Sequence, residues 1–129
     1  MPSWYSATNM RIFVFGSNLA GRHGKGAALD AKELWEAEYG VGEGPTGRAY
    51  AIPTKDAQLK RRALLQIRES VKKFLKYAKE HPEHEFFVTR IGCGLAGYTD
   101  KDIGPMFEGA SSNCELPPGW GKPGDPEYY

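Results

Sequence analysis

The chain has only two cysteines in 129 residues, Cys93 and Cys114. They form no CxxC pair, no histidine stands at zinc-ligand spacing, and a single pair makes no disulfide framework. A reducing compartment is the simpler reading, and neither a metal nor a cofactor is expected. An excess of one charge is lacking too. Lys and Arg total 17 against 16 for Asp and Glu, a net charge of +1, which supplies no global field for nucleic acid or an anionic membrane. An anion must therefore be recognised locally, and sequence-specific nucleic-acid binding is not expected. No stretch approaches the ~20 apolar residues of a membrane span, and Met1 to Met10 lacks the basic-then-apolar pattern of a signal peptide. The expectation is a cytoplasmic protein with no membrane partner. Two familiar nucleotide motifs are missing as well. Gly16-Ser17-Asn18-Leu19-Ala20-Gly21 lacks the second glycine of the dinucleotide fingerprint, and no Gly-Lys-Ser/Thr of a P-loop occurs.

What is present suits one globular domain over residues 1–129, with a core across 10–110 and irregular termini at 1–9 and 117–129. The hydrophobic fraction is 40% and the aromatic fraction 12%, enough to fold without disulfides or metal. Arg11 to Phe15 is short, β-branched and aromatic and reads as a buried strand stopping at Gly16. A loop then runs to Gly26. From Ala27 the apolar residues Ala28, Ala31, Leu34, Trp35 and Tyr39 recur at helical spacing, with Gly40 as the left-handed cap. The glycine-rich Val41 to Gly47 precedes a strand at Tyr50 to Ile52, stopped by Pro53. Leu64, Ile67, Val71, Phe74, Leu75 and Ala78 mark one face of a long helix ended by His81-Pro82, its lysines and arginines largely outside that stripe. Phe86 to Thr89 is a strand feeding the glycine loop Arg90 to Tyr98, and a short helix spans Asp100 to Glu108. The segment from Leu116 reads as an irregular surface wrap.

Alternating strands and helices predict an α/β fold with parallel strand pairing and right-handed crossovers. In such sheets ligands sit outside the carboxyl ends of the strands, where both glycine loops would open. Phosphate is held there without net charge when backbone N–H groups converge on it, which calls for glycine where a side chain would block approach. Gly21, Gly24 and Gly26 fit, the following helix start adds its unpaired N–H groups, and Lys25 adds a charge. The alternative is that these glycines only turn the chain from strand to helix; two such loops at equivalent strand ends favour the ligand.

Three ordered segments carry a resemblance: Phe15-Gly16-Ser17-Asn18 with Gly24-Lys25-Gly26-Ala27-Ala28; Ile52-Pro53-Thr54-Lys55; and Arg90-Ile91-Gly92-Cys93-Gly94-Leu95. Together they resemble macrodomains, the ADP-ribose-binding modules, most of all the branch of terminal ADP-ribose hydrolases and DNA ADP-ribosyl glycohydrolase antitoxins. The chain as a whole, through Asn113 to Trp120, resembles short phage and bacterial proteins described only as non-structural. The resemblance implies an α/β fold of three layers, α/β/α, with a minimal macrodomain-like mixed sheet covered by helices on both faces, and ADP-ribose, or an ADP-ribosylated protein or nucleic acid, as partner. It implies a diphosphate between Gly24 to Ala28 and Gly92 to Gly97, including Cys93, Leu95 and Ala96, with Gly16 and Ser17 also binding the ligand and Asn18 facing the distal ribose.

By the same resemblance Lys55 takes the place of a lysine that attacks or positions the opened distal ribose, as an unprotonated amine could. Ala96 stands where one glutamate-adduct hydrolase has an aspartate. Asp100, four residues on, is the candidate replacement carboxylate or else the N-cap of the next helix. Asn18 contacts the ribose or closes its own loop as an Asx turn. His23 is an acid-base candidate or a plain polar loop residue. Tyr98 stacks on a base or ribose or packs on the loop rim. Cys93 lacks an activating histidine and reads as a small loop residue rather than a nucleophile. Two further readings remain, a reader of ADP-ribose without catalysis and a partner-binding protein whose loops are structural and whose aromatic end, Trp120 to Tyr129, docks elsewhere.

Overall fold

The computed structural model describes residues 10–121. Five strands form one mixed sheet in the order β2-β3-β1-β4-β5: β1 Arg11–Asn18, β2 Gly44–Thr46, β3 Ala49–Lys55, β4 Glu85–Val88 and β5 Cys114–Glu115. β1 pairs in parallel with β3 and β4, β4 in parallel with β5, and β2 antiparallel with β3. Three helices accompany them, α1 Gly26–Leu34, α2 Leu64–Glu80 and α3 Asp100–Ile103, the last continuing as a 3-10 turn over Gly104–Phe107.

The central strands are apolar at consecutive positions because both of their faces are covered. Successive side chains point to opposite sides, and the two cores sort accordingly. Ile12, Val14, Tyr50, Ile52, Phe86 and Val88 face α2 and its Ile67, Val71, Phe74 and Ala78. Phe13, Phe15, Ala49 and Ala51 face α1 and its Ala28 and Ala31. The expected three layers are present, a large aliphatic and aromatic core on one face and a smaller alanine-rich one on the other.

The element boundaries depart from the sequence reading in ways that bear on the cleft. β1 does not stop at Gly16 but continues to Asn18, and β3 passes through Pro53 to Lys55. β2 pairs no further than Ala51 and the β1 register shifts between Ser17 and Asn18, so Pro53 lies at an outer edge beside an irregularity, where a strand tolerates a missing N–H. Instead of that N–H, its carbonyl is used, accepting the Arg62 guanidinium at 2.8 Å. α1 begins at Gly26, one residue early, and ends at Leu34 rather than Tyr39. Glu36 adopts a left-handed backbone (φ 62°), which turns the Ala37 N–H back onto the Ala31 carbonyl at 3.0 Å. Gly40 is therefore not the helix cap. The short edge strand β2 occupies the glycine-rich segment before β3, β5 occupies a segment to which the sequence reading assigned no element, and the helix expected over Asp100 to Glu108 divides into α3 and the 3-10 turn. The expected wrap from Leu116 is irregular as far as Gly121, but Trp120 is buried against Phe107. The expectations for residues 1–9 and 122–129 lie outside the described residues.

Candidate functional site

The carboxyl ends of β1, β3 and β4 open into one cleft of about 670 Å³. The loop after β1 forms one wall. The Asn18 amide donates to the Arg22 carbonyl at 2.8 Å and its oxygen accepts the Arg22 N–H at 3.0 Å, so the side chain closes its own loop, but across four residues rather than the two of an Asx turn. The Ser17 hydroxyl donates to the Gly42 carbonyl. His23, expected at the reacting centre or in a polar loop, is 1% exposed and absent from the cleft lining. Its Nε2 faces the Glu38 carbonyl at 3.0 Å, which can only accept, so Nε2 carries the proton. Nδ1 has no partner among the described residues. The ring meets Phe15 edge-on at 5.4 Å and Tyr39 at 6.2 Å, so its role is to anchor the wall from behind.

Beyond His23 the wall becomes sparse. A Cβ added to Gly24 or Gly26 would meet nothing within 4 Å. The first helical bond of α1 runs from the Leu29 N–H to the Lys25 carbonyl, leaving the N–H groups of Gly26, Ala27 and Ala28 without intrahelical acceptors.

The opposite wall is the loop after β4. Cys93 donates to Arg90 at 3.2 Å, Gly97 to Gly94 at 3.0 Å and Tyr98 to Gly92 at 2.7 Å, all through backbone N–H groups. Among the described residues, the N–H groups of Gly94, Leu95 and Ala96 have no protein acceptor. Gly94 also has nothing within 4 Å of an added Cβ. Lys55 stands between the walls at the end of β3, in register with Asn18.

Twelve of the expected site residues line the cleft. They are Gly16, Ser17, Asn18, Gly24, Lys25, Gly26 and Ala27 on one side, Lys55 between, and Gly92, Gly94, Leu95 and Ala96 on the other. His23, Cys93, Gly97, Tyr98 and Asp100 do not line it. The Tyr98 hydroxyl donates to the Arg62 carbonyl at 2.6 Å and its ring lies under the Arg61 guanidinium at 4.4 Å, so it packs on the rim. Burial, and then the neighbouring Asp100 carboxylate, push the Cys93 thiol up to about 11, which keeps it protonated at neutral pH and unfit as a nucleophile.

Asp100 is not the N-cap of α3. That position is Thr99, whose N–H and hydroxyl both donate to Asp102 at 3.0 Å. The Asp100 carboxylate instead receives the Arg90 guanidinium in two bonds of 2.9 Å and the Trp120 indole N–H at 2.9 Å. Arg90 first, then Trp120, holds its carboxyl below the ordinary 3.8. That is a structural ion, not a proton donor at neutral pH.

Sequence reasoning missed several lining residues, among them Arg22, Arg90, Thr54, Thr89, Tyr39 and Leu59. Arg22 and Arg90 matter most. With Lys25 and Lys55 they give the cleft four basic side chains, and no aspartate or glutamate lines it. Among the described residues, Arg22, Lys25 and Lys55 take part in no ion pair. The signal was available, since both arginines stand within the glycine loops, but the glycines drew the reading to the backbone.

The chain matches no family model and no curated protein. Among solved structures it is similar to a protein of unknown function from Bacteroides thetaiotaomicron, with a TM-score of 0.56 and 18% identity over 77% of this chain and 78% of that one. A likeness at this identity concerns the fold alone. Among the described residues no helix is long and apolar enough to cross a membrane.

Proposed function

We propose that the chain binds ADP-ribose or a related NAD-derived nucleotide, with the diphosphate between the two glycine loops and the distal ribose toward Asn18 and Lys55. The observation that carries this reading is the cleft's local charge. Four basic and no acidic side chains line it in a molecule whose net charge is +1, and both walls present backbone N–H groups lacking protein acceptors. Such a site suits a compact dianion linked to uncharged sugar. The resemblance of the three segments to macrodomains supplies the rest, including ADP-ribosylated protein or nucleic acid as the larger partner. The free thiols of Cys93 and Cys114 accord with a reducing, cytoplasmic setting.

Binding without turnover is the simpler form of the proposal, because Ala96 replaces the aspartate of the hydrolase and Asp100 lies outside the cleft. Hydrolysis of an ADP-ribosyl adduct is the second form, favoured by Lys55 lining the cleft at the strand end where its counterpart acts.

Calorimetric titration with ADP-ribose, alongside AMP and ribose 5-phosphate, tests the first form. The expected result is saturable one-to-one binding that Gly94→Val weakens by about tenfold or more while unfolding at the same temperature. No heat at millimolar ligand would sink the reading. Turnover of a defined ADP-ribosylated substrate, lost in Lys55→Ala, would establish the second form, and absence of turnover would leave a reader.

A further inference from the structure

Arg90 lines the cleft, yet its direction is set from outside it. Its Nε and Nη2 donate to Oδ1 and Oδ2 of Asp100, the planar side-on fork. Oδ1 also accepts the Trp120 indole N–H at 2.9 Å. Trp120 is only 4% exposed and packs on Phe107 at 5.3 Å, and the next residue, Gly121, donates back to the Gly104 carbonyl. A continuous set of contacts thus runs from the end of the described chain, through one carboxylate, to a cation on the cleft.

A guanidinium has five N–H donors, and the fork uses two of them. The remaining three have no protein acceptor among the described residues. The side chain is 58% exposed, so without Asp100 it would sample many rotamers and lose that freedom on meeting a ligand. Fixing it beforehand removes the loss from the binding step.

We infer that Asp100 and Trp120 are positioning residues that hold Arg90 as a pre-aimed donor to the bound anion, making the segment around Trp120 part of the phosphate site. The inference rests on the anion-binding reading above and specifies how one of its cations is used. It also makes a prediction whose sign separates it from simple charge. A carboxylate beside a cation cancels much of its field, so by Coulomb attraction alone removal of Asp100 would tighten anion binding. By positioning, removal weakens it.

The test is calorimetric titration of the whole chain with inorganic pyrophosphate and with ADP-ribose, using Asp100→Asn, Trp120→Phe, Arg90→Lys and the Arg90→Lys/Asp100→Asn pair. Asp100→Asn is expected to weaken both ligands about tenfold and Trp120→Phe, which keeps an aromatic ring against Phe107 but removes the N–H donor, about threefold, while in the Arg90→Lys background Asp100→Asn adds nothing. Equal or tighter pyrophosphate binding by Asp100→Asn, or a weakening that persists in the lysine background, would overturn the positioning role and leave the anion site standing. If wild type binds neither ligand, the site reading falls and this inference with it. Should Asp100→Asn fail to fold, Trp120→Phe decides, and unchanged affinity there overturns the proposal.

Discussion

The loop from Asn18 to Lys25 has one backbone hydrogen bond within itself, Gly21 to Asn18, and relies on its side chains and on neighbouring segments, whereas the loop from Thr89 to Thr99 has four. In the first, Asn18 clasps Arg22, Ser17 reaches Gly42 and His23 reaches Glu38. In the second, a succession of N–H donors at Ile91, Cys93, Gly97 and Tyr98 closes back on the loop itself, with the Thr89 and Tyr98 hydroxyls and the Arg90–Asp100 fork as outside stays. The difference teaches how to read their glycines. Gly21 is a packing glycine, since a Cβ there would lie 2.2 Å from the Gly40 carbonyl carbon. Gly24 and Gly94 face open space. Only the second kind reserves room for a ligand, and the two are indistinguishable by residue type.

Substitutions at the two kinds of glycine should therefore behave oppositely. Gly21→Ala is expected to destabilise the fold by about 3 kcal/mol, from steric overlap with backbone and from a φ of 70°. Gly94→Ala should shift stability by no more than ~0.5 kcal/mol. Denaturant midpoints with unchanged slopes measure both, and equal effects would break the distinction. Asn18→Ala should follow at about 1 kcal/mol, because it leaves the part-buried N–H and carbonyl of Arg22 without their partner. Hydrogen exchange checks whether Arg22 and its neighbours open while the second loop stays protected.

The smallest effect concerns acid. The Asp100 carboxyl is held below its ordinary 3.8 by Arg90, so the folded state binds this proton less readily than the unfolded chain. Its stabilisation is complete above that ordinary value and is lost as pH falls through the lower folded value. The pair is exposed, 58% and 43% at the two side chains, so the loss is modest. Thermal scans from pH 5 to pH 2 should show a slightly shallower decline in Asp100→Asn than in wild type. An identical decline would mean the fork contributes nothing to folding.

The long-range plan was legible where the physical signal is local and strong. The short β-branched and aromatic run at Arg11 to Phe15 and the 3.6-residue stripe from Leu64 to Ala78 are both strong local signals, and the structure has a strand and a helix there. Much of the cleft was legible too, since glycines following strands mark where a sheet opens. What was missed depends on tertiary partners. Trp35 and Tyr39 keep helical spacing beyond a helix that Glu36 has already ended, because Trp35 stacks on Phe13 at 5.2 Å while Tyr39 is exposed at the cleft. β2 and β5 exist only through their neighbours, being too short to signal themselves. Asp100 looked like a cap because it precedes a helix, but its partners, Arg90 and Trp120, lie ten and twenty residues away.

The brevity of those two edge strands has a further effect. β2 is three residues long with Pro45 at its middle, and β5 is two residues long. Each offers too few free backbone groups to template a strand from another chain. Assembly by extending these strands is thereby discouraged, so the sheet ends at its own short edges rather than continuing into a neighbouring chain.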